Sequence, residues 1–237
     1  MTVGSAIPTE VSVPWLGRTV AVHWANHALL MLITWFVLVP IGVLAVRFFK
    51  PAPTPYGIER GTGRFHPKLL WWTMHYSILY LAIALTLFGA VISIYVSHGF
   101  SGSAHAFCGL ATVLSGSLQI VSAWLRGTHG GKHGVSSDPE DPATWRGGHY
   151  DMTPRRRWFE AYHKTAGYFT IALACSAAGS GLMRYGIPSF AALLGTAIGL
   201  ILPICVVLEG RGFRQDTYGA VYGNHPDHPY NRARSGI

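Results

Sequence analysis

Five stretches of the chain are apolar for long enough to cross a bilayer: residues 23–48, 69–96, 101–126, 158–184 and 187–209. A hydrocarbon core of about 30 Å needs roughly 20 helical residues, so each stretch predicts a transmembrane helix. The polar residues collect between them. Residues 49–68 are rich in Pro and Gly, 97–100 form a tight turn, 127–157 are polar with an acidic SSDPEDP run, and the chain is polar again after 209. None of these polar segments could bury a core of its own. The pattern predicts an all-α fold, an integral membrane helical bundle of five transmembrane helices. It divides into an N-terminal tail (1–22), one membrane domain (23–209) and a C-terminal tail (210–237).

Composition agrees with that reading. Half of the 237 residues are hydrophobic and only 12% are charged, against about 25% charged in ordinary soluble domains. Cys108, Cys175 and Cys205 lie in apolar stretches without a pairing pattern, so neither a disulfide framework nor a zinc site is expected. The first 22 residues lack a basic n-region, and the apolar run that follows is longer than the core of a signal peptide, so no cleavage is expected.

Charge adds an orientation. There are 18 Lys and Arg against 10 Asp and Glu, an excess that suits nucleic acid, anionic lipid or asymmetric membrane loops. Fifteen of the cations fall in the first connection, the third connection and the C-terminal tail, which alternate spans place on one side. Positive-inside asymmetry accounts for this without nucleic acid. The N-terminus is expected outside and the C-terminus in the cytoplasm, in a bacterial cytoplasmic membrane.

Ionisable side chains within spanning helices are costly and mark function. Four of the five helices carry a histidine: His27, His75, His105 and His163. His27 and His105 each lie about four residues in from the outer end, and His75 and His163 five or six residues in from the inner end. Two facing pairs are expected, at levels on the order of 20 Å apart. Neutral imidazoles facing each other across a dry bundle suit bis-histidine ligation of haem iron, which leaves no open axial position and favours electron transfer. Gly109 and Gly167 follow His105 and His163 by one helical turn, removing a side chain where a macrocycle edge would pass. A histidine bonded to a neighbouring carbonyl explains any single case, but less well four matched in depth. A non-haem metal transporter would recruit carboxylates, and all ten Asp and Glu lie in loops, tails or helix ends.

These residues resemble the cytochrome b561 family, particularly the core domain also found attached to DOMON modules, in a bacterial-type five-helix form. The stretch HALLMLITWFVLVPIGVLAVRFF (27–49), with His27, Trp35, Pro40, Gly42 and Arg47, is similar to that family's first haem helix. WWTMH ending at His75, HAFCGLATVLSGSLQ from His105 to Gln119, and RRWFEAYHKTAG around His163 are similar to the next three, in order. The resemblance implies two haem b groups per chain. It pairs His27 with His105 on an outer haem and His75 with His163 on an inner one. It also implies electron transfer across the membrane, often from ascorbate to monodehydroascorbate or ferric iron. Eukaryotic members usually have six helices, and many place a glutamine where this chain has Leu79. A quinone pool or a soluble redox partner therefore stands beside ascorbate and ferric iron as the expected partners. A transmembrane oxidoreductase, acting as a homodimer or a complex subunit, is the expected class; a haem-b anchor subunit of a larger dehydrogenase is the alternative.

Among the inner-face cations, Arg126 and Arg157 at helix ends are the candidates to meet haem propionates. Arg18, His23 and His98 are the outer-face counterparts. Trp35, Trp71, Trp72, Trp124 and Trp158 read as an interfacial belt. His129, His133 and His149, with His225 and His228, read as solvated loop and tail residues.

Overall fold

The structure is a computed structural model that describes residues 7–59, 61–126, 138, 140–141, 144, 154–185 and 188–226. A hairpin of β1 (Glu10–Val13) and β2 (Arg18–Ala21) precedes five long helices: α1 (Trp24–Phe48), α2 (Pro67–Val96), α3 (Ala104–Trp124), α4 (Pro154–Tyr185) and α5 (Pro188–Gly210). A short helix, α6 (Thr217–Tyr222), follows. All five long helices are long and apolar enough to span a bilayer, and the chain is a multi-pass membrane protein with a helical bundle fold. The loop histidines His129, His133 and His149, and His228 in the tail, lie outside the described residues.

Helix boundaries follow local chemistry. Pro67 opens α2, where its missing N–H costs nothing, and the Ser103 hydroxyl caps α3 by accepting from the Ala106 amide at 3.2 Å. Within α1 the turn Thr34–Leu38 widens to a π-helix just before Pro40. Proline removes a backbone donor and crowds the carbonyl one turn back, and a wide turn relieves both. Thr34 and Trp35 sit in that turn, with Thr34 fully buried and Trp35 only 7% exposed.

Trp35 is the centre of the packed core rather than part of an interfacial belt. Its ring lies with Val39 of its own helix, Ala82 and Ile83 of α2, and Ala174 of α4, and its indole donates to Thr86 Oγ1 at 3.1 Å. Gly116 of α3 closes the fourth side, since a Cβ there would stand 3.8 Å from the indole and 2.5 Å from Ile83. Trp71 is buried as well, whereas Trp124 and Trp158 are exposed at helix ends, as a lipid-facing belt requires. Ser115 on α3 and Thr170 on α4 join at 2.6 Å. Thr170 spends its own proton on the Ala166 carbonyl, so Ser115 is the donor across the helix pair. By contrast, the spanning window of α5 buries none of its residues within the chain.

Both ends of the bundle are structured beyond the spans. On the hairpin side, Val11 and Val13 pack on Val96, Val22 and Trp24, and the Trp24 indole donates to the Pro8 carbonyl at 2.7 Å. On the tail side, α6 is capped by the Asp216 carboxylate, which accepts from the amides of Tyr218 and Gly219. It is stitched to the first connection by Ile58 N–H to Val221 O and Asn224 N–H to Thr54 O, each 3.0 Å. Gly57 permits that approach: its φ is +66°, and a Cβ there would lie 2.3 Å from the Val221 carbonyl.

Tyr218 anchors α6 by donating to Glu160 at 2.6 Å, and Glu160 also accepts from Arg156 at 2.8 Å. Burial and the adjacent Glu160 carboxylate push the Tyr218 hydroxyl up to about 12. The folded state therefore holds this proton more tightly than the unfolded chain, whose tyrosine titrates at about 10. This contribution is at full strength below pH of about 10 and disappears as pH rises through about 12. Thermal melts from pH 8 to 12 are expected to show that loss. In Tyr218→Phe the added slope should vanish, with stability at pH 8 lower by about 1–2 kcal/mol for the lost buried bond. An unchanged alkaline slope in the variant would show that the hydroxyl does not carry it.

Candidate functional site

The four helical histidines meet in two pairs. The rings of His27 (α1) and His105 (α3) have centroids 6.2 Å apart with planes at 83°. Those of His75 (α2) and His163 (α4) are 6.4 Å apart at 79°. All four are half-buried. The first pair lies toward the hairpin side and the second toward the tail side.

Each ring is held from behind by the helix paired with its own. His75 Nδ1 donates to the Gly42 carbonyl of α1 at 3.0 Å, and His27 Nδ1 meets Ser93 Oγ of α2 at 2.9 Å. Ser93 gives its own proton to the Gly89 carbonyl, so it accepts from His27. His105 Nδ1 donates to the Ala177 carbonyl of α4 at 2.8 Å. In these three rings the proton is thus on Nδ1 and the lone pair on Nε2, the tautomer a metal ligand needs. The fourth ring differs. Gln119 of α3, oriented to satisfy the backbone of His163 and Gly167, brings its amide nitrogen 2.7 Å from His163 Nδ1. In that orientation the amide donates to Nδ1, so the His163 proton lies on Nε2, the opposite tautomer to the other three rings.

The arrangement is reciprocal. Along α1, α2, α3 and α4 alike, a histidine is followed about four to five turns later by the group that supports another helix's ring. The pairs α1/α2 and α3/α4 exchange these supports, and the facing imidazoles come from opposite pairs. Glycines make the close fit: a Cβ at Gly181 would fall 2.8 Å from His105 Nδ1, and one at Gly42 would press on Leu79 at 3.1 Å. Gly109 and Gly167 have a different setting, since a Cβ at either would meet nothing within 4 Å. They border open space beside the two pairs.

Two imidazoles binding one metal ion through Nε2, each at about 2 Å with the ring centre about 1.1 Å beyond, have centroids about 6.3 Å apart. The two observed separations match that value. Among the described residues no group of three or more His, Cys, Asp or Glu side chains gathers in a way that could hold an ion. The three cysteines are free thiols.

Arg126 is half-buried with its guanidinium 5.3 Å over Trp72, which stacks on His75 at 5.9 Å. Burial, then the neighbouring Arg156 charge, pushes the Arg126 guanidinium below its usual range. Arg157 is exposed, and its neighbour Arg156 is the buried one, 7% exposed beside Glu160 and Tyr218. On the hairpin side His23 precedes α1 and His98 follows α2; both are exposed. Nothing in the sequence singles out Ser93 or the carbonyls of Gly42 and Ala177. Ser93 lies on the histidine-bearing face of α2, but Thr86 shares that face, so position alone does not set it apart.

Fold and site define a multi-pass helical membrane protein with two facing imidazole pairs. The chain is 32% identical over 101 residues to a Danio rerio protein named "Putative ferric-chelate reductase 1". The match covers 42% of this chain and 16% of that protein, so the chain spans a small part of that relative's length. No family model matches the chain, and no solved structure matches it.

Proposed function

We propose that the chain carries electrons across a membrane through two b-type haems, as a transmembrane oxidoreductase of the cytochrome b561 type. His27 and His105 are the axial ligands of one haem, and His75 and His163 of the other. The observation that carries this reading is the pair of imidazole couples at a separation suited to one metal ion each, supported from behind by neighbouring helices. The relative's name supports the redox class.

Haem b held by these two imidazole pairs would supply a one-electron redox couple. The chain's own residues set its surroundings. Ser93 and the Gly42 and Ala177 carbonyls fix ring orientation and raise ligand basicity. Trp35 and its neighbours fill the interior between the two levels and exclude water. Gly109 and Gly167 leave room beside the ligands, while Arg126, over Trp72, contributes positive charge near the inner pair; exposed Arg157 is the second cation proposed to meet propionates. The cation-poor hairpin side faces out and the tail side faces the cytoplasm. The donor is a quinol, ascorbate or a soluble partner, and the acceptor a ferric chelate or a second redox partner.

Proteoliposomes test this. With quinol in the bilayer or ascorbate inside, an external ferric chelate is expected to be reduced only when the protein is present. Haems that are reduced but pass no electron outward with any donor would contradict the proposal.

Gly181→Val is expected to weaken binding at the His27/His105 site about 10–100-fold, because the new side chain displaces a ligand from its supporting carbonyl. The His75/His163 site should be unaffected. Haem titration of the apoprotein checks this, and equal loss at both sites would point instead to general unfolding.

A further inference from the structure

We propose that a hollow at the tail-side ends of α1 and α5 binds the phosphate of an anionic phospholipid headgroup. The hollow is an open depression of about 290 Å³, lined by Phe48, Lys50, Arg211, Phe213 and Gln215, with Ala52 and Gly212. Phe48 ends α1 and Gly210 ends α5, so the hollow lies at the depth where headgroups meet the hydrocarbon core.

Its two cations, Lys50 and Arg211, are not held in ion pairs among the described residues. Lys50 is half-buried, with Nζ donating to Thr217 Oγ1 at 2.9 Å. Of the nearby carboxylates, Glu209 accepts from Arg47 and Arg214, and Asp216 caps α6 while its charge also acts on Lys50. Half-burying an ammonium that no ion pair holds is unfavourable, and burial pushes Lys50 down to about 8 even with the Asp216 carboxylate opposing it. A phosphate accepting from the Lys50 ammonium, the Arg211 guanidinium and the Gln215 amide would offset that cost.

Two observations favour a lipid as the source of the phosphate. Phe48 and Phe213 give one part of the hollow an apolar wall beside its cations, and the spanning window of α5 buries none of its residues. Acyl chains leaving the hollow would thus run along an uncovered helix flank. Basic pockets between helix ends are a recurrent headgroup site.

The test uses the purified full-length protein in mixed micelles of phosphatidylglycerol and phosphatidylcholine, read by native mass spectrometry. Phosphatidylglycerol is expected to remain bound under activation that strips phosphatidylcholine. Lys50→Gln and Arg211→Gln should each lower its retention about fivefold, and Lys50→Arg should restore it. If Lys50→Gln loses its helical circular dichroism, the exposed Arg211→Gln carries the test alone. Undiminished retention in Arg211→Gln, or equal retention of both lipids by the wild type, would overturn the proposal. A rise in melting temperature with phosphatidylglycerol, not reproduced by inorganic phosphate in phosphatidylcholine micelles, is also expected. Full reproduction by inorganic phosphate would overturn the lipid assignment.

Discussion

His75→Ala is expected to remove one of two haem b groups and leave the other spectrally intact, and His27→Ala to remove the complementary one. The reason is geometric. His75 faces His163, and His27 faces His105. The two levels are separated along α2 by the run from His75 to Ser93, about 27 Å at 1.5 Å per residue. On the proposed reading, removing one imidazole would leave the haem at that level with one protein ligand, so affinity there should collapse. The other level keeps both ligands and both supports. His163→Ala should therefore reproduce His75→Ala, and His105→Ala should reproduce His27→Ala. A reduced-minus-oxidised spectrum of each variant, with haem counted per chain, checks this. Loss of both haems from one substitution in a still-folded bundle would show that the rings are not paired this way.

Trp35→Ala is expected to be the most destabilising single change outside the ligands, by about 3–5 kcal/mol. The ring is buried among residues of α1, α2 and α4 with Gly116 of α3 against its edge, so truncation leaves a cavity at the centre of the four-helix core. Helices in lipid gain little from hydrophobic transfer and depend on such packing, and the loss should be felt at every contact at once. It also leaves the Thr86 hydroxyl without the indole donor. Thermal melts in detergent should show a fall for Trp35→Ala that Trp35→Phe largely avoids, since phenylalanine keeps most of the volume and loses only about 1 kcal/mol of hydrogen bonding. Both haem levels should weaken together in Trp35→Ala, unlike the one-sided losses of the histidine variants. A small change in melting temperature would show that the core is held elsewhere.

The five spans are legible in the sequence because a soluble fold rarely tolerates apolar runs as long as a bilayer is thick. The four histidines stand out because an ionisable group in such a span is rare. Their supports are not legible. Every residue has a carbonyl, so nothing distinguishes Gly42 or Ala177 as the one that accepts from a ring, and Ser93 looks like any helical serine bonded to the carbonyl one turn back. Gln119 ends a recognised stretch, yet its reach to His163 depends on how α3 lies against α4. Trp35 groups with the belt by residue type alone, although it lies midway along its span, where a tryptophan faces a neighbouring helix, and the structure places it in the wide turn ahead of Pro40 against the core. The hairpin and α6 escape a reading of periodicity for want of length: strands of four residues and a helix of six carry too little of it. Both are held by contacts to distant segments, Trp24 to Pro8 and Tyr218 to Glu160, which no local pattern announces.

The most direct test of the central claim is a haem count on the purified wild-type protein from cells supplied with haem precursor. A pyridine haemochrome assay, read with a reduced-minus-oxidised spectrum, is predicted to give two haems b per chain. A colourless preparation of folded protein, or haem at a stoichiometry of one that His27→Ala and His75→Ala both abolish, would contradict it.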